Sequence, residues 1–596
     1  MAIQSNFPAI KPSLMLDFAN TKQLDPRITY TRASTATFYN GVTTAMAEQN
    51  LFLQSQDFTT TWINTATTET ANTTTAPDGT TTADTLTPDA STAVHEIYQS
   101  VAVTNGVAYT VSCYVKANGN NFVQFTFESS GFPATQFANF NVTAGSGAVG
   151  TVGATSTASI VDVGNGWYRC TMTTTATSSV ASSSLRIVII SSSTSIRRES
   201  WATTGTEQIY LWGAQMESRS TVTAYTPTTT QAITNYIPAL QTAASGVARF
   251  DHNPTTDESL GLLIEESKTN LALQSSDFTT TWTTANSTVT SNTMVAPDGT
   301  LTADKLVTNS TVAGHFVTQD VTTTAVAHTY SVYLKASGYN WAVVYISGAN
   351  AGIFFNLSTG VTGSNFVGAP TSSSITSVGN GWYRCSITAT ATTTSAIRVY
   401  SASADGTTSF AGDGFSGTLI WGAQLEAGAF ATSYIPTVAS QVTRAADAAS
   451  MTGTNFSSWY AVDQGTLFAD AISNGGQVYA QLGVGSISDN RVSLYSLAPN
   501  LAVVSGSTTS AALGSTTLNN GTVAKLAGAY KTNDFALSIN GATVLTDTDG
   551  LLPSPTSLLI GARNSASPSN QLNGTIKKIA YYPLRVTNAQ LQALTS

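Results

Sequence analysis

The chain has 596 residues and a formal net charge of -9, with 42% hydrophobic but only 10% charged residues. This composition excludes a coiled-coil rod, which needs charged flanks, and extended disorder, because aromatic and β-branched residues continue along the whole chain. The 24 Lys and Arg residues are too sparse to line a basic nucleic-acid groove, so we expect no nucleic-acid partner.

The first residues contain no basic region followed by an apolar one, so the sequence predicts no secretory signal peptide. Apolar runs are only as long as a strand, far short of the roughly 20 residues that span a bilayer. Cys113, Cys170 and Cys385 are too few for a disulfide framework. We expect them to be small buried hydrophobic residues in a chain that folds in a reducing compartment, without membrane insertion.

Two parts of the chain repeat each other, and the offset between them decreases towards the C-terminus. The second copy has therefore lost residues between shared elements, as surface loops do when a scaffold is kept. The matched segments are Asn50-Leu-Phe-Leu-Gln-Ser-Gln-Asp-Phe58 with Asn270-Leu-Ala-Leu-Gln-Ser-Ser-Asp-Phe278, Gly164-Asn-Gly-Trp-Tyr-Arg-Cys170 with Gly379-Asn-Gly-Trp-Tyr-Arg-Cys385, and Trp212-Gly-Ala-Gln-Met-Glu217 with Trp421-Gly-Ala-Gln-Leu-Glu426.

Each copy is predicted to be a β module. Val111, Cys113 and Val115 alternate with polar or aromatic residues, and this period of two is typical of half-buried strands. Asn-Gly pairs throughout the chain favour tight hairpin turns. Helical periodicity is nearly absent, except that residues 587–594 are predicted to form a short capped helix at the C-terminus.

The predicted fold class is all-β: three consecutive antiparallel β-sandwiches preceded by an extended N-terminal segment. We place an anchoring segment at residues 1–49, module 1 at 50–227, a lead-in at 228–269, module 2 at 270–437 and a C-terminal domain at 438–596. The last region does not repeat the first two, although its sequence also predicts strands.

Several motifs carry a family resemblance. Leu16-Asp-Phe18 and residues 24–37 resemble the opening of bacteriophage tail-fibre and related virion appendage proteins, as do Arg249-Phe-Asp-His-Asn-Pro254 and Gly261-Leu-Leu-Ile-Glu-Glu266. The repeated motifs resemble the phage carbohydrate-binding-like jelly rolls of that group. Gly574-Thr-Ile-Lys-Lys-Ile-Ala-Tyr-Tyr-Pro583 is similar to laminin-G or concanavalin-like sandwiches. The resemblance thus implies two jelly rolls followed by a laminin-G-like domain.

The resemblance also implies a function. We expect a non-enzymatic structural protein of a bacteriophage virion, a tail fibre, spike or similar appendage, that adheres to host cell-surface glycans. It would be made in the cytoplasm of the bacterial host, displayed on the virion surface, and partnered by other virion proteins and by copies of itself as a homo-oligomer. One alternative is a purely structural virion component without glycan binding, such as a head decoration, collar or fibre-linking subunit. Another is a bacterial surface adhesin.

Sugar binding needs an aromatic face for the C–H side of the ring and polar groups for the hydroxyls. On the Gly-Asn-Gly-Trp-Tyr-Arg-Cys strand, Tyr168 and Cys170 are expected to face the core, leaving the neighbouring side chains on the other face. An alternative is that the tryptophan stacks under the arginine as a structural cation–π pair. The candidate carbohydrate-binding residues are Trp167, Arg169, Tyr114 and Lys116 in the first copy and Trp382, Arg384, Tyr333 and Lys335 in the second.

Acidic residues and histidines that recur in both copies are the candidates for metal or catalytic sites. Carbohydrate-binding jelly rolls often hold a structural calcium ion near the first and last strands, and the resemblance therefore makes Asp57, Glu217, Asp277 and Glu426 calcium candidates. No other cofactor is predicted. A glycosidase needs two carboxylates facing each other across a cleft, and nothing in the sequence indicates such a pair, so we predict no catalytic residues. The recurring histidines, His95 and His315, are expected to be hydrogen-bonded and partly buried.

Overall fold

The structure, a computed structural model, describes residues 11–475, 477–484, 489–563 and 571–596. Antiparallel sheets dominate these residues and form three successive sandwiches, which confirms the all-β prediction. The helices of the described residues are short: α1 (Phe18–Thr21), a 3-10 turn (Ser347–Ala349), α2 (Thr454–Ser457) and α3 (Asn588–Thr595). None of these described helices is long and apolar enough to cross a membrane.

The predicted C-terminal helix is confirmed as α3. The side chain of Thr587 accepts a hydrogen bond from the backbone N–H of Gln590, and the side chain of Gln590 accepts one from the backbone N–H of Thr587. This reciprocal capping satisfies N–H groups that have no partner inside the helix.

The strands of the first half of the chain are as follows. The N-terminal segment contains β1 (Leu14–Asp17), β2 (Thr29–Thr31), β3 (Ala36–Phe38) and β4 (Thr44–Asn50). Module 1 contains β5 (Ile63–Thr65), β6 (Thr67–Thr74), β7 (Ala83–Pro88), β8 (Thr92–Ala93), β9 (His95–Val103), β10 (Ala108–Asn118), β11 (Phe122–Phe127), β12 (Ala138–Asn141), β13 (Ala148–Val152), β14 (Ser156–Asp162), β15 (Trp167–Thr175), β16 (Val180–Ile189), β17 (Trp201–Ala202) and β18 (Gln208–Glu217). The lead-in contains β19 (Ile233–Pro238), β20 (Gln241–Ala243), β21 (Phe250–His252), β22 (Ser259–Ile264) and β23 (Lys268–Asn270).

The second half begins with module 2, which contains β24 (Thr283–Ala285), β25 (Ser287–Met294), β26 (Ala303–Thr308), β27 (Ala313–Thr322), β28 (Ala327–Ser337), β29 (Trp341–Ile346), β30 (Ala351–Asn356), β31 (Val361–Val367), β32 (Ser372–Gly379), β33 (Trp382–Thr390), β34 (Thr394–Ala402), β35 (Ser409–Phe410) and β36 (Gly417–Ala427). The C-terminal domain contains β37 (Val442–Arg444), β38 (Ala448–Thr452), β39 (Gln464–Ser473), β40 (Val478–Gly483), β41 (Arg491–Tyr495), β42 (Leu501–Ser505), β43 (Thr508–Leu513), β44 (Val523–Lys531), β45 (Asp534–Ile539), β46 (Leu545–Asp547), β47 (Ser557–Ile560) and β48 (Gly574–Tyr582).

The two modules share one topology. In module 1, a sheet ordered β14-β15-β10-β18-β7-β6 faces a sheet ordered β13-β12-β11-β16-β9-β5. In module 2, the sheet β25-β26-β36-β28-β33-β32 faces the sheet β24-β27-β34-β29-β30-β31. We call the second sheet of each pair the outer sheet. Because strand side chains alternate between faces, Ile397 and Val399 of β34 enter the core while Arg398 and Tyr400 point away from it.

The C-terminal sandwich includes strands from distant parts of the sequence. One sheet has the order β21-β22-β48-β39-β44-β45-β46, with β1 also paired to β48, and the other has the order β2-β38-β47-β40-β41-β42-β43. In addition, β3 pairs with β20 and β4 pairs with β19. Strand pairing therefore joins the segments at residues 1–49 and 228–269 to each other and to the C-terminal domain.

A buried ion network lies where these segments meet. The carboxylate of Asp447, which is fully buried, lies 2.7 Å from Nη2 of Arg249 and 3.2 Å from Nη1 of Arg32. Nη1 of Arg249 also lies 2.8 Å from the carboxylate of Glu265, and Nε of Arg444 lies 3.6 Å from it. Burying these charges is tolerable because each is paired, so the network requires the N-terminal segment, the lead-in and the C-terminal domain to be in place together.

The network predicts a large loss of stability when its central carboxylate is removed. Asp447→Asn leaves Arg249 and Arg32 buried without their shared counter-ion, and we expect a cost of about 3–5 kcal/mol. Denaturant unfolding of the C-terminal sandwich, monitored by intrinsic fluorescence, measures this loss as a shift of the midpoint. The exposed Asp549 serves as the control, because Asp549→Asn removes a charge that lies in water. Equal midpoints for the two variants would contradict the assigned role of the network.

The network also predicts acid sensitivity. Burial alone would raise the pKa of Glu265, but the guanidinium groups of Arg444 and Arg249 and the hydrogen bonds from Ser433 lower it from 4.5 to about 2. The stabilisation is therefore complete above pH 4.5 and is lost as the pH falls from there towards 2. We expect the Glu265→Gln protein to have a lower melting temperature than the parent above pH 4.5. Its melting temperature should then decrease less than that of the parent as the pH falls from 4.5 towards 2. Thermal unfolding as a function of pH tests this, and parallel curves for both proteins would refute it.

Candidate functional site

The sugar-site residues predicted from the repeated motif lie side by side on β10 and β15 of module 1. Tyr114 is opposite Arg169 and Lys116 is opposite Trp167 in the antiparallel register. The guanidinium carbon of Arg169 lies 5.3 Å from the centroid of the Tyr114 ring. The alternative prediction of a tryptophan–arginine cation–π pair is therefore wrong in its aromatic partner, because Arg169 stacks on Tyr114 and not on Trp167.

Module 2 repeats the arrangement on β28 and β33. The guanidinium carbon of Arg384 lies 5.5 Å from the ring centroid of Tyr333. Nη2 of Arg384 donates to Ser331 at 2.9 Å, just as Nη2 of Arg169 donates to Ser112 at 3.0 Å. The tyrosine–arginine pair is thus a shared structural feature of the two modules.

The tryptophans of the predicted sugar site are buried. Trp167 is 1% exposed and Trp382 is 0% exposed, so neither indole offers an open face on which a sugar ring can stack. Nε1 of Trp167 donates to the carbonyl oxygen of Thr75 at 3.0 Å. A carbohydrate-binding role for these eight residues stays a prediction, and the burial of both indoles gives it no support.

Contacts between units explain this burial. In module 1, Phe415 of module 2 packs against the cluster that contains Tyr114, Trp167 and Trp212. Nζ of Lys305, also from module 2, lies 4.8 Å from the ring centroid of Phe415. Burial lowers the pKa of Lys305 to about 8, although the negative charge of Asp413 acts to raise it.

The equivalent face of module 2 is covered by the N-terminal segment and the lead-in. Tyr39, Ile237 and Leu240 belong to the same apolar cluster as Tyr333 and Trp382. The ammonium group of Lys335 forms an ion pair with Glu48 and donates to the carbonyl oxygen of Asn380. Both predicted sites therefore lie at contacts between units of the chain.

Substitution of a buried indole should destabilise the protein. Trp167→Ala removes a large side chain from a closed cluster, and we expect a loss of about 3–5 kcal/mol in the unfolding free energy of module 1. Tyr236, which is 60% exposed, provides the control, since Tyr236→Ala should leave the unfolding transition almost unchanged. Differential scanning calorimetry measures both. A Trp167→Ala protein with the melting temperature of the parent would show that the indole is not a packing residue.

The calcium candidates are engaged in local hydrogen bonds. Asp57 accepts a backbone N–H two residues later at 2.9 Å, and Asp277 does so at 2.8 Å. Glu217 and Glu426 are buried, and each accepts a backbone N–H six residues later, at 2.9 and 2.7 Å. Within the described part of the chain, no group of three or more His, Cys, Asp or Glu side chains could hold a metal ion.

Other recurring polar residues stabilise the modules. Both ring nitrogens of His315 lie within 2.8 Å of carbonyl oxygens, and His95 likewise lies between carbonyl oxygens. The expected hydrogen bonds are present, but both histidines are fully buried, not partly buried as predicted. Asp84 and Asp304 each accept two backbone N–H groups at 2.9 Å. Burial raises the pKa of Asp304 to about 6 in spite of these hydrogen bonds.

A different surface presents aromatic rings to solvent. We call six side chains on the outer sheet of module 2 the outer aromatic face. Its rings contact one another, with centroid separations of 4.6 Å for Phe316–Tyr400 and 5.0 Å for Phe366–Tyr400. Most of its side chains are half-buried, whereas Tyr400 is 6% exposed. The outer aromatic face consists of Phe316, Trp341, Tyr345, Phe366, Arg398 and Tyr400.

Local sequence choices build this face. Trp341 lies over Gly363, where an added Cβ would come within 2.5 Å of the indole, so only glycine leaves room for the ring. The carboxylate of Asp405 lies at the same edge and accepts hydrogen bonds from the backbone N–H and hydroxyl of Ser364, at 3.0 and 2.8 Å. Arg398 stacks between two rings, 5.0 Å from the centroid of Phe316 and 5.6 Å from that of Tyr345.

The same face of module 1 is polar and closed. The segment between β16 and β17 crosses it, and Gln124 and Asn139 donate to the carbonyl oxygens of Ile196 and Ser195 at 3.0 and 2.7 Å. Arg198 of this segment binds the buried carboxylate of Glu96 at 2.7 Å. In module 2, the segment between β34 and β35 is shorter, and among the described residues its hydrogen bonds to the outer sheet are those of Asp405 with Ser364, at the Trp341 edge.

The repeated motifs do not point to the outer aromatic face, because the two copies differ there. The signal in the sequence is the alternation of Trp341, Val343 and Tyr345 with the core residues Ala342 and Val344. Trp341 and Tyr345 thus place two rings on the outer side of β29, and the position of Tyr345 is held by Thr126 in module 1.

Comparison with known proteins assigns no family. No protein-family model matches the sequence, and no curated protein matches it. Among solved structures, the CBM40 module of the Ruminococcus gnavus IT-sialidase bound to alpha2,3 sialyllactose is similar over 24% of this chain and 88% of its own, with 15% identity and a TM-score of 0.21.

Two further structures show similarity at the same level. The CBM22-1-CBM22-2 tandem of Paenibacillus barcinonensis Xyn10C matches over 64% of this chain and 97% of its own, with 12% identity and a TM-score of 0.19. The Trypanosoma rangeli sialidase in complex with the inhibitor DANA matches over 25% of this chain and 26% of its own, with 14% identity and a TM-score of 0.20. At these values the likeness assigns no function to this chain.

Proposed function

We propose that this chain is a non-enzymatic adhesion protein whose outer aromatic face on module 2 binds glycans. The observation that carries the proposal is the cluster of half-buried rings that flank a guanidinium group on an outer sheet. The chemistry fits a saccharide, because aromatic faces accept the apolar C–H side of a sugar while polar groups bind its hydroxyls. Trp341, Tyr345 and Phe316 supply the rings, and Arg398 and Asp405 supply donors and acceptors at the two ends.

We place this adhesion on a bacteriophage virion, as part of a tail fibre, spike or similar appendage. The support is the sequence resemblance of residues 16–37 and 249–266 to virion appendage proteins. Other virion proteins and further copies of the chain would be its partners. A shallow face binds weakly, and many copies on one particle raise the overall affinity through effective concentration.

A second candidate is a purely structural virion component. The observation that favours it is the burial of Trp167 and Trp382, because the faces that carry the predicted sugar site are used here for packing between units. This candidate assigns no ligand to the outer aromatic face.

A glycan array separates the two candidates. We expect the intact chain to bind at least one class of bacterial surface glycan, and Tyr345→Ala and Trp341→Ala to lower the affinity about tenfold or more, since central aromatic residues dominate such contacts. Titration calorimetry on the best array ligand provides the affinities.

Tyr98 offers a matched control. It stacks under Arg186 on the closed face of module 1, with the guanidinium carbon 4.5 Å from its ring centroid, so Tyr98→Ala removes the same kind of stacked ring outside the proposed site. Equal affinities for the Tyr345→Ala and Tyr98→Ala proteins would reject the outer aromatic face as the site. Absence of glycan binding by the intact chain would favour the structural candidate.

A further inference from the structure

We infer that the outer aromatic face of module 2 selects a carboxylate-bearing sugar, a uronic or nonulosonic acid unit, through Arg398. This inference rests on the proposed function and adds the chemical class of the ligand. Its basis is a comparison of Arg398 with the residue at the same position of module 1.

That residue is Arg186. In the strand registers, Arg186 of β16 lies opposite Thr126 of β11, and Arg398 of β34 lies opposite Tyr345 of β29. Both side chains point away from the core of their module, and both stack on an aromatic ring. The two arginines therefore occupy equivalent places on the two outer sheets.

Module 1 neutralises its arginine internally. Nη1 of Arg186 lies 2.5 Å from the carboxylate of Glu96, and its Nη2 forms an ion pair with Glu128. Glu96 is buried beneath the covering segment and also binds Arg198 of that segment. The charge of Arg186 is thus satisfied within the fold.

Module 2 has lost both counter-ions. In module 2, Phe316 occupies the register position that Glu96 occupies in module 1. Ser347, which follows β29, stands where Glu128 follows β11 in module 1. Among the described residues, no carboxylate lies within 4 Å of the Arg398 guanidinium. Asp320, on the same face of β27, also lies beyond this ion-pair distance.

The remaining contacts of Arg398 leave donors free. Its Nη1 donates to the hydroxyl of Tyr400 at 3.2 Å and its Nε donates to Thr318 at 3.4 Å. A guanidinium carries five N–H donors in a planar fork that matches a carboxylate. The flanking rings desolvate it partly, which strengthens a charge-assisted hydrogen bond to an anion.

The face also gives the ligand a direction. Trp341, beside Asp405, lies opposite Ala402, four residues along β34 from Arg398, or roughly 13 Å at the rise of a strand. The carboxylate of Asp405 repels an anion and accepts hydroxyl groups. The acidic group of the ligand is therefore held at the Arg398 end, and neutral hydroxyls face Asp405.

The inference is tested on the intact chain with three acidic ligands: oligogalacturonates, hyaluronan oligosaccharides and oligosialic acid. The affinity for each is compared with that for its carboxyl-reduced form and for a panel of neutral glycans. We expect at least one acidic oligosaccharide to bind about tenfold or more tightly than its reduced form, with that difference lost in Arg398→Gln. Lys531→Gln, which removes an exposed positive charge from the C-terminal sandwich, should keep it.

A matched pair of variants tests the missing counter-ion directly. Both variants lose the Phe316 ring of the binding face and should bind every glycan more weakly. Phe316→Glu also recreates the carboxylate of module 1 beside Arg398 and should abolish the preference for the acidic form, whereas the neutral Phe316→Gln should retain that preference. Unfolding midpoints confirm that both variants are folded.

The outcomes separate this inference from the proposed function. Equal binding of an acidic oligosaccharide and its reduced form, or an Arg398→Gln protein that behaves like Lys531→Gln, overturns the inference and leaves glycan binding in place. Failure of the intact chain to bind any neutral or acidic glycan overturns both.

Discussion

The architecture depends on one buried carboxylate that is shared by distant segments. Asp447 pairs with Arg249 of the lead-in and Arg32 of the N-terminal segment, and Glu265 completes the network. An unpaired charge at this depth would cost several kcal/mol, so these segments are stable only when they meet. The ion network explains why the N-terminal segment and the lead-in add strands to the C-terminal sandwich, although they lie far from it in sequence.

The two modules keep one scaffold and use its two faces differently. The tyrosine–arginine face recurs in both copies and is covered each time by another unit of the chain. The outer face is closed in module 1 by a segment whose Arg198 needs the carboxylate of Glu96. Where the segment is shorter, that carboxylate has given way to the ring of Phe316. Loop length and surface chemistry therefore differ together between the two copies.

Much of the fold was predictable from local patterns. The alternation in β10, the Asn-Gly turns and the duplicated motifs indicated paired sheets, and Thr587 with Gln590 indicated the terminal helix. Alternation placed Trp167 and Arg169 on one face of their strand, but only the pairing of β10 with β15 sets them opposite Lys116 and Tyr114. Their burial was not predictable, since Phe415, which contacts Tyr114 and Trp212 of the cluster around Trp167, comes from module 2.

The sequence by itself determined the class of fold, the duplication and the faces of individual strands, because these follow from periodicities of a few residues. Only the tertiary structure decided which faces are covered and which remain open. Exposure depends on the elements that pack against a strand, and here those elements come from other modules. For the same reason, the contrast between Arg186, with its two carboxylates, and Arg398, with none among the described residues, is visible only when both outer sheets are compared in register.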